Sequence, residues 1–160
     1  MEKTTVKSIK AVCYVALVLV AMWVVFYCIQ SYYVLTTGSG HGVINWGSPN
    51  IGAKLALFWF NRLTILVLAG LFTAFVFNIL KSLKTGAIFT RSNVIVLWAI
   101  VIVIPIYAFV SDNMGYACST AETSDLMLTD GPFVYTIVAL LVAMLYKVAY
   151  DTAEEQKLTV

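Results

Sequence analysis

The chain has 160 residues, of which 61% are hydrophobic and only 11% charged, with a formal net charge of +2. A soluble domain of this length carries about 25% charged and 45–50% apolar residues, so lipid has to form part of the solvent. A wholly soluble domain is excluded on that ground, no direct nucleic-acid binding is expected, and the three cysteines form no CxxC pair that would indicate thiol–disulfide exchange.

Four apolar stretches, about 9–32, 54–80, 94–111 and 132–150, occupy most of the chain. A helix rises about 1.5 Å per residue, so about 20 residues cross a hydrocarbon core of about 30 Å. The first stretch follows Lys3, Lys7 and Lys10 and resembles a signal peptide at its front. It is too long for one and no small-x-small site closes it, so it is expected to be retained. The segment TTGSGHGVINWGSPN then reads as a surface loop. It holds His41, the single histidine, with no acidic neighbour; a plain loop residue is expected, and neither a metal site nor a cofactor.

The second stretch opens at Lys54 and contains Asn61, Arg62 and Asn78, the candidate polar residues within the membrane. Arg62 precedes an uncharged run, and helical side chains lean toward the N-terminus. It is therefore expected to snorkel to the outer interface as an anchor, with residues 55–60 packing under the outer loops. An ion pair with an outer-loop acid and an intramembrane substrate or ion site are the alternatives. Gly70, Ala74 and Asn78, spaced by four, are expected to form a helix-packing face.

The connection KSLKTGAIFTRSN offers Gly86 as a helix C′ residue and Thr90 or Ser92 as the next N-cap. The third stretch is rich in β-branched residues and contains Pro105, yet its length and lack of alternation favour a membrane helix. The following loop has Asp112, Glu122, Asp125 and Asp130 but no Lys or Arg; its acids match no cation-binding motif and read as solvated charge. In the fourth stretch Ala139 and Ala143 suggest a second packing face. Residues 1–8 and 151–160 read as short soluble tails. Cys28 and Cys118 fall toward the same membrane face, where a disulfide is conceivable but two reduced thiols are expected.

Lys3, Lys7, Lys10, Lys81, Lys84, Arg91, Lys147 and Lys157 fall on one side, and only Lys54 and Arg62 on the other. Basic residues stay inside, so both termini are expected in the cytoplasm. The fold expected is all-α: one polytopic membrane domain over 1–160, with four transmembrane helices in a bundle. No phosphate-binding glycine loop, HExxH or nucleophile elbow occurs, so no enzyme is expected. Between the helix ends the spans lack ionisable groups, which argues against a proton-coupled carrier.

The segment NILKSLKTGAIFTRSNV and the tail AEEQKLTV resemble the DUF2975 family, small bacterial four-helix integral membrane proteins. Members carry xxILKxIKxG, then xxFTxxNV, and close on EEQDLTV/I; here Lys157 stands where an acid is usual. The resemblance implies a bacterial cytoplasmic membrane protein with no assigned enzymatic activity, often encoded beside a small helix-turn-helix regulator. The sequence adds a physical reason to look at the cytoplasmic face. Lys84, Gly86, Phe89, Thr90, Asn93, Glu154, Glu155 and Leu158 are candidates for binding such a regulator, although the basic residues equally suit anionic lipid heads. The expected function is therefore regulatory or accessory. The alternative is a small transporter or channel subunit acting as a homo-oligomer, with Asn61, Arg62 and Asn78 along its path.

Overall fold

The computed structural model describes residues 3–37, 42–84, 89–123 and 127–158. It contains helices α1 (Lys3–Thr36), α2 (Ile51–Ser82), α3 (Arg91–Asp112), α4 (Met114–Ala117) and α5 (Gly131–Leu158), and no strand among the described residues. All but α4 are long and apolar enough to cross a membrane, the pattern of a multi-pass membrane protein. Each apolar stretch of the sequence lies inside one of these four, and each helix overruns the stretch that predicts it. The tail is the clearest case. Residues 151–158 continue α5 instead of forming a separate segment, because Ala, Glu, Gln and Lys are strong helix formers. Lys147 and Asp151 also pair one turn apart at 2.5 Å.

Successive long helices run antiparallel. The termini and the α2–α3 connection therefore share one end, the terminal face, and the other two connections share the loop face. Spatial order follows chain order: α1 packs on α2, α2 on α3, and α3 on α5, while α1 and α5 make no close backbone approach. The bundle is thus open along one side. Its middle core is Leu68, Leu97, Ile100 and Ala143, flanked by Trp23, Phe75 and Tyr146. A second core at the loop face joins Val34, Ile44, Phe58 and Ala117. Of the segment 55–60 expected beneath the loops, Phe58 packs under the loop-face connections, while Trp59 and Phe60 are exposed. α1 and α5 turn residues such as Leu19, Phe26, Leu141 and Leu145 outward, a surface that only lipid or another apolar chain can solvate.

The packing face of α2 differs from the predicted one. Ala143 is fully buried, as expected for α5, but Gly70 and Ala74 are exposed, with open space around Gly70. The helix instead buries Phe58, Arg62, Ile65 and Ala69, which recur at spacings of three and four. Turning Arg62 into the protein keeps a fixed charge out of hydrocarbon, a saving of several kcal/mol that outweighs the close approach a small-residue stripe permits. At the start of α3, Thr90 is the N-cap, its side chain accepting from the Asn93 amide at 3.4 Å. The helix continues through Pro105. Gly86, His41 and Asp125 lie outside the described residues.

Candidate functional site

At the loop face, α2 begins from Asn50, which adopts a left-handed backbone (φ 55°) and donates through Nδ2 to the Glu122 carbonyl at 2.6 Å. One turn on, Lys54 is fully buried. Its ammonium donates to the carbonyls of Ser119 (2.9 Å) and Ala121 (2.8 Å) and to Ser48 Oγ, and lies 5.0 Å from the centre of the Tyr116 ring. Lys54 therefore ties together both connections of this face. Sequence reasoning placed it merely at the mouth of the span, since its partners lie 65 and 67 residues downstream. One local signal exists. A cation in the first turn of a helix opposes the helix dipole and needs negative partners, and no acid lies near it in sequence, which leaves backbone carbonyls.

Two turns deeper, Arg62 is 8% exposed and Asn61 3%. Arg62 Nη1 donates to Gln30 Oε1 at 3.3 Å, and the guanidinium carbon lies 4.8 Å from the Phe58 ring centre and 5.1 Å from that of Tyr27. Arg62 Nε and Asn61 Nδ2 are buried without a hydrogen-bond partner among the described residues. The interface-anchor expectation is thereby corrected. Arg62 turns inward instead of along the helix to the surface, and the faces of Phe58 and Tyr27 and the Gln30 amide shelter its charge. Nor does Arg62 form the alternative ion pair with an acid among the described residues, Asp125 lying outside them. The Asp112 carboxylate accepts from the Thr129 hydroxyl, and Glu122 is held through its backbone carbonyl.

Arg62, Asn61, Tyr27, Gln30, Ser111 and Cys118 line a cavity of about 510 Å³. At its inner end the hydroxyls of Tyr27 and Tyr107 meet at 3.3 Å. Below them an apolar groove of about 580 Å³ follows the open side of the bundle, lined by Trp23, Leu68, Leu97 and Val138 among others. Burial pushes the Cys118 thiol upward from its ordinary pKa, with Arg62 pulling weakly the other way. Cys28 and Cys118 are both free.

Asn78 does not join Arg62. It sits at the terminal face, in a small cleft with Lys81, Ser82, Thr90 and Ser92. There Tyr146 of α5 gathers the start of α3. Its hydroxyl accepts from Asn93 Nδ2 (3.1 Å) and from the Thr90 amide (3.3 Å), and its ring takes edge contacts from Phe89 and Phe75. Asn93 is fully buried. Of the candidate partner-binding residues, Asn93 is thus an internal clasp rather than a docking residue, and Phe89 and Thr90 serve the same clasp. The buried Asn93 Nδ2 donor is satisfied by pairing inside the protein. Lys84 and Glu155 are exposed, Glu154 is half-buried, and Leu158 closes α5. Among the described residues no group of His, Cys, Asp and Glu could hold a metal ion. Comparison with protein-family models, with curated proteins and with solved structures returns no match for this chain.

Proposed function

We propose that this chain is a non-enzymatic accessory protein of the bacterial cytoplasmic membrane, with both termini inside, that holds a small cytoplasmic regulator on its terminal face. The observation that carries this reading is the length of α5. Tyr146 is level with the start of α3, yet α5 continues to Leu158, about 18 Å further along its axis. The protruding helix bears Lys147, Asp151, Glu154 and Glu155, and exposed Lys81, Lys84 and Arg91 ring its base. Anionic head groups attract the basic ring but repel the acids, so a charge-mixed rigid post suits a protein partner better than a lipid surface. The orientation rests on the distribution of Lys and Arg, and the DUF2975 resemblance supplies the kind of partner, a helix-turn-helix regulator.

The transporter reading receives less support. Polar lining ends at the Tyr27–Tyr107 pair, and the groove beyond is apolar, so a single copy offers no continuous polar path among the described residues. Two experiments test the proposal. A reporter active only outside the cytoplasm, fused after Val160, is expected to be silent; signal from it would reverse the orientation. Affinity capture from detergent extracts is expected to lose its partner when Glu154 and Glu155 become Lys and Lys81 and Lys84 become Glu. Unchanged recovery from that quadruple variant removes the docking face.

A further inference from the structure

We propose that the loop-face cavity is a binding site for an oxyanion, a carboxylate or phosphate group, held by Arg62 and Asn61. The site lies at the other end of the protein from the docking face and does not depend on it.

The inference starts from an unbalanced charge. Arg62 lies about 16 Å along α2 from its first residue, within the depth of a bilayer, and its guanidinium stays protonated. A guanidinium carries five N–H donors in a planar fork that matches a carboxylate or phosphate. Among the described residues one acceptor meets it, Gln30 Oε1, at the long distance of 3.3 Å. The rings of Tyr27 and Phe58 shelter the charge without cancelling it. Arg62 Nε and Asn61 Nδ2, both donors, both more than nine-tenths buried, have no acceptor, and both residues line the cavity. Buried donors without acceptors are costly, and a buried cation without a counter-charge more so.

A second cation stands nearby. Lys54 is fully buried, and its hydrogen-bond partners are Ser48 Oγ and the carbonyls of Ser119 and Ala121, all neutral. Ser119 also lines the cavity. Arg62 therefore brings a fixed positive charge to a space whose described walls hold no carboxylate, and Lys54, bonded to the lining residue Ser119, adds to the positive potential around it. Water filling would satisfy donors but not charge. At about 510 Å³ the space greatly exceeds the roughly 30 Å³ that one water occupies.

Two sources can bring an oxyanion here. A soluble anion enters from the loop face. An anionic lipid reaches the same donors from the open side of the bundle, laying its chains in the apolar groove beneath the Tyr27–Tyr107 pair. Both present the same chemistry to Arg62.

Cys118 lines the cavity and reports occupancy. The full chain with Cys28→Ser is purified, delipidated and placed in phosphatidylcholine nanodiscs, and alkylation of Cys118 by a maleimide is timed. Sodium phosphate or sodium acetate is compared with sodium chloride at equal ionic strength; in a separate arm, phosphatidylglycerol replaces half of the lipid. At least tenfold slowing is expected in one arm. Slowing by phosphate or acetate assigns a soluble anion, and slowing by phosphatidylglycerol alone assigns a lipid head group. Arg62→Met and Asn61→Ala are read in parallel, so that one misfolded variant does not decide the matter, and the slowing is expected to vanish in the first and weaken in the second. Lys10→Met, which removes an equal charge from an exposed position near the far face, is expected to retain it. No slowing in either arm, or slowing that survives in folded Arg62→Met or is unchanged in Asn61→Ala, overturns the proposal.

Discussion

Replacing Lys54 by Met isolates what a single buried ammonium does for the loop face. Methionine has nearly the same length and fills the same channel, so packing changes little. The carbonyls of Ser119 and Ala121 lose a charged donor at 2.9 and 2.8 Å, and Ser48 Oγ loses the same partner. Hydrogen bonds to a charged group contribute about 1.5–3 kcal/mol each, and the variant also escapes the cost of burying a charge, which offsets part of the loss. A net loss of about 2–4 kcal/mol follows, confined to the two connections, because the middle core of Leu68, Leu97, Ile100 and Ala143 lies beyond their reach. At about 1.4 kcal/mol per tenfold, local opening rises about 30- to 700-fold. Hydrogen exchange read by mass spectrometry reports it directly. The Ser48 amide, bonded to Asn45, and the Ser119 amide, bonded to Tyr116, are expected to exchange faster by that factor, while α3 amides are unchanged. Exchange at both amides within threefold of the parent chain would refute the tie.

Tyr146→Phe strands Asn93 Nδ2 and the Thr90 amide beside an Asn93 Oδ1 that already lacks a partner, so a loss of about 1–3 kcal/mol is expected as a lower thermal midpoint in detergent. Thr90→Ala removes an N-cap with a long 3.4 Å bond and should cost about 0.5–1 kcal/mol, read as a smaller drop in the same midpoint. Gly70→Ala is expected to stabilise the helix by about 0.5–1 kcal/mol and so raise the midpoint, since the site is exposed with nothing near the added carbon; destabilisation would restore the small-residue packing face. Alkylation of Cys118 should titrate above the ordinary thiol range, because burial disfavours the thiolate; a midpoint at or below that range contradicts the half-buried placement.

The helices and their order were legible because hydropathy is a property of contiguous segments. The Thr90 cap was legible for a related reason: cap and acceptor stand three residues apart. The charged residues were not. Arg62 and Gln30 are separated by 32 positions, and Lys54 and Ala121 by 67. A run that is apolar on all sides gives no sign of which face of α2 turns inward, so the stripe of small residues competed on equal terms with the face bearing Arg62. The argument that decides between them is energetic, the cost of a charge in lipid, and it favours the face on which that charge finds aromatic rings and an amide. The tail expected after residue 150 is helical to Leu158, because charged composition ends a span and not a helix.

The sequential packing of α1 on α2, α2 on α3 and α3 on α5 bears on biosynthesis. Every long helix after the first leaves the ribosome with its docking neighbour already made, so the domain can assemble from the front as it is inserted, with no helix threading between two others. Such an order keeps most contacts close along the chain and shortens the search for them. The exceptions are the ties at the loop face, where Lys54 and Asn50 wait for residues 119–122 to be synthesised. Those ties can first close between the synthesis of α3 and that of α5, and a chain halted before residue 119 would hold α1, α2 and α3 without them.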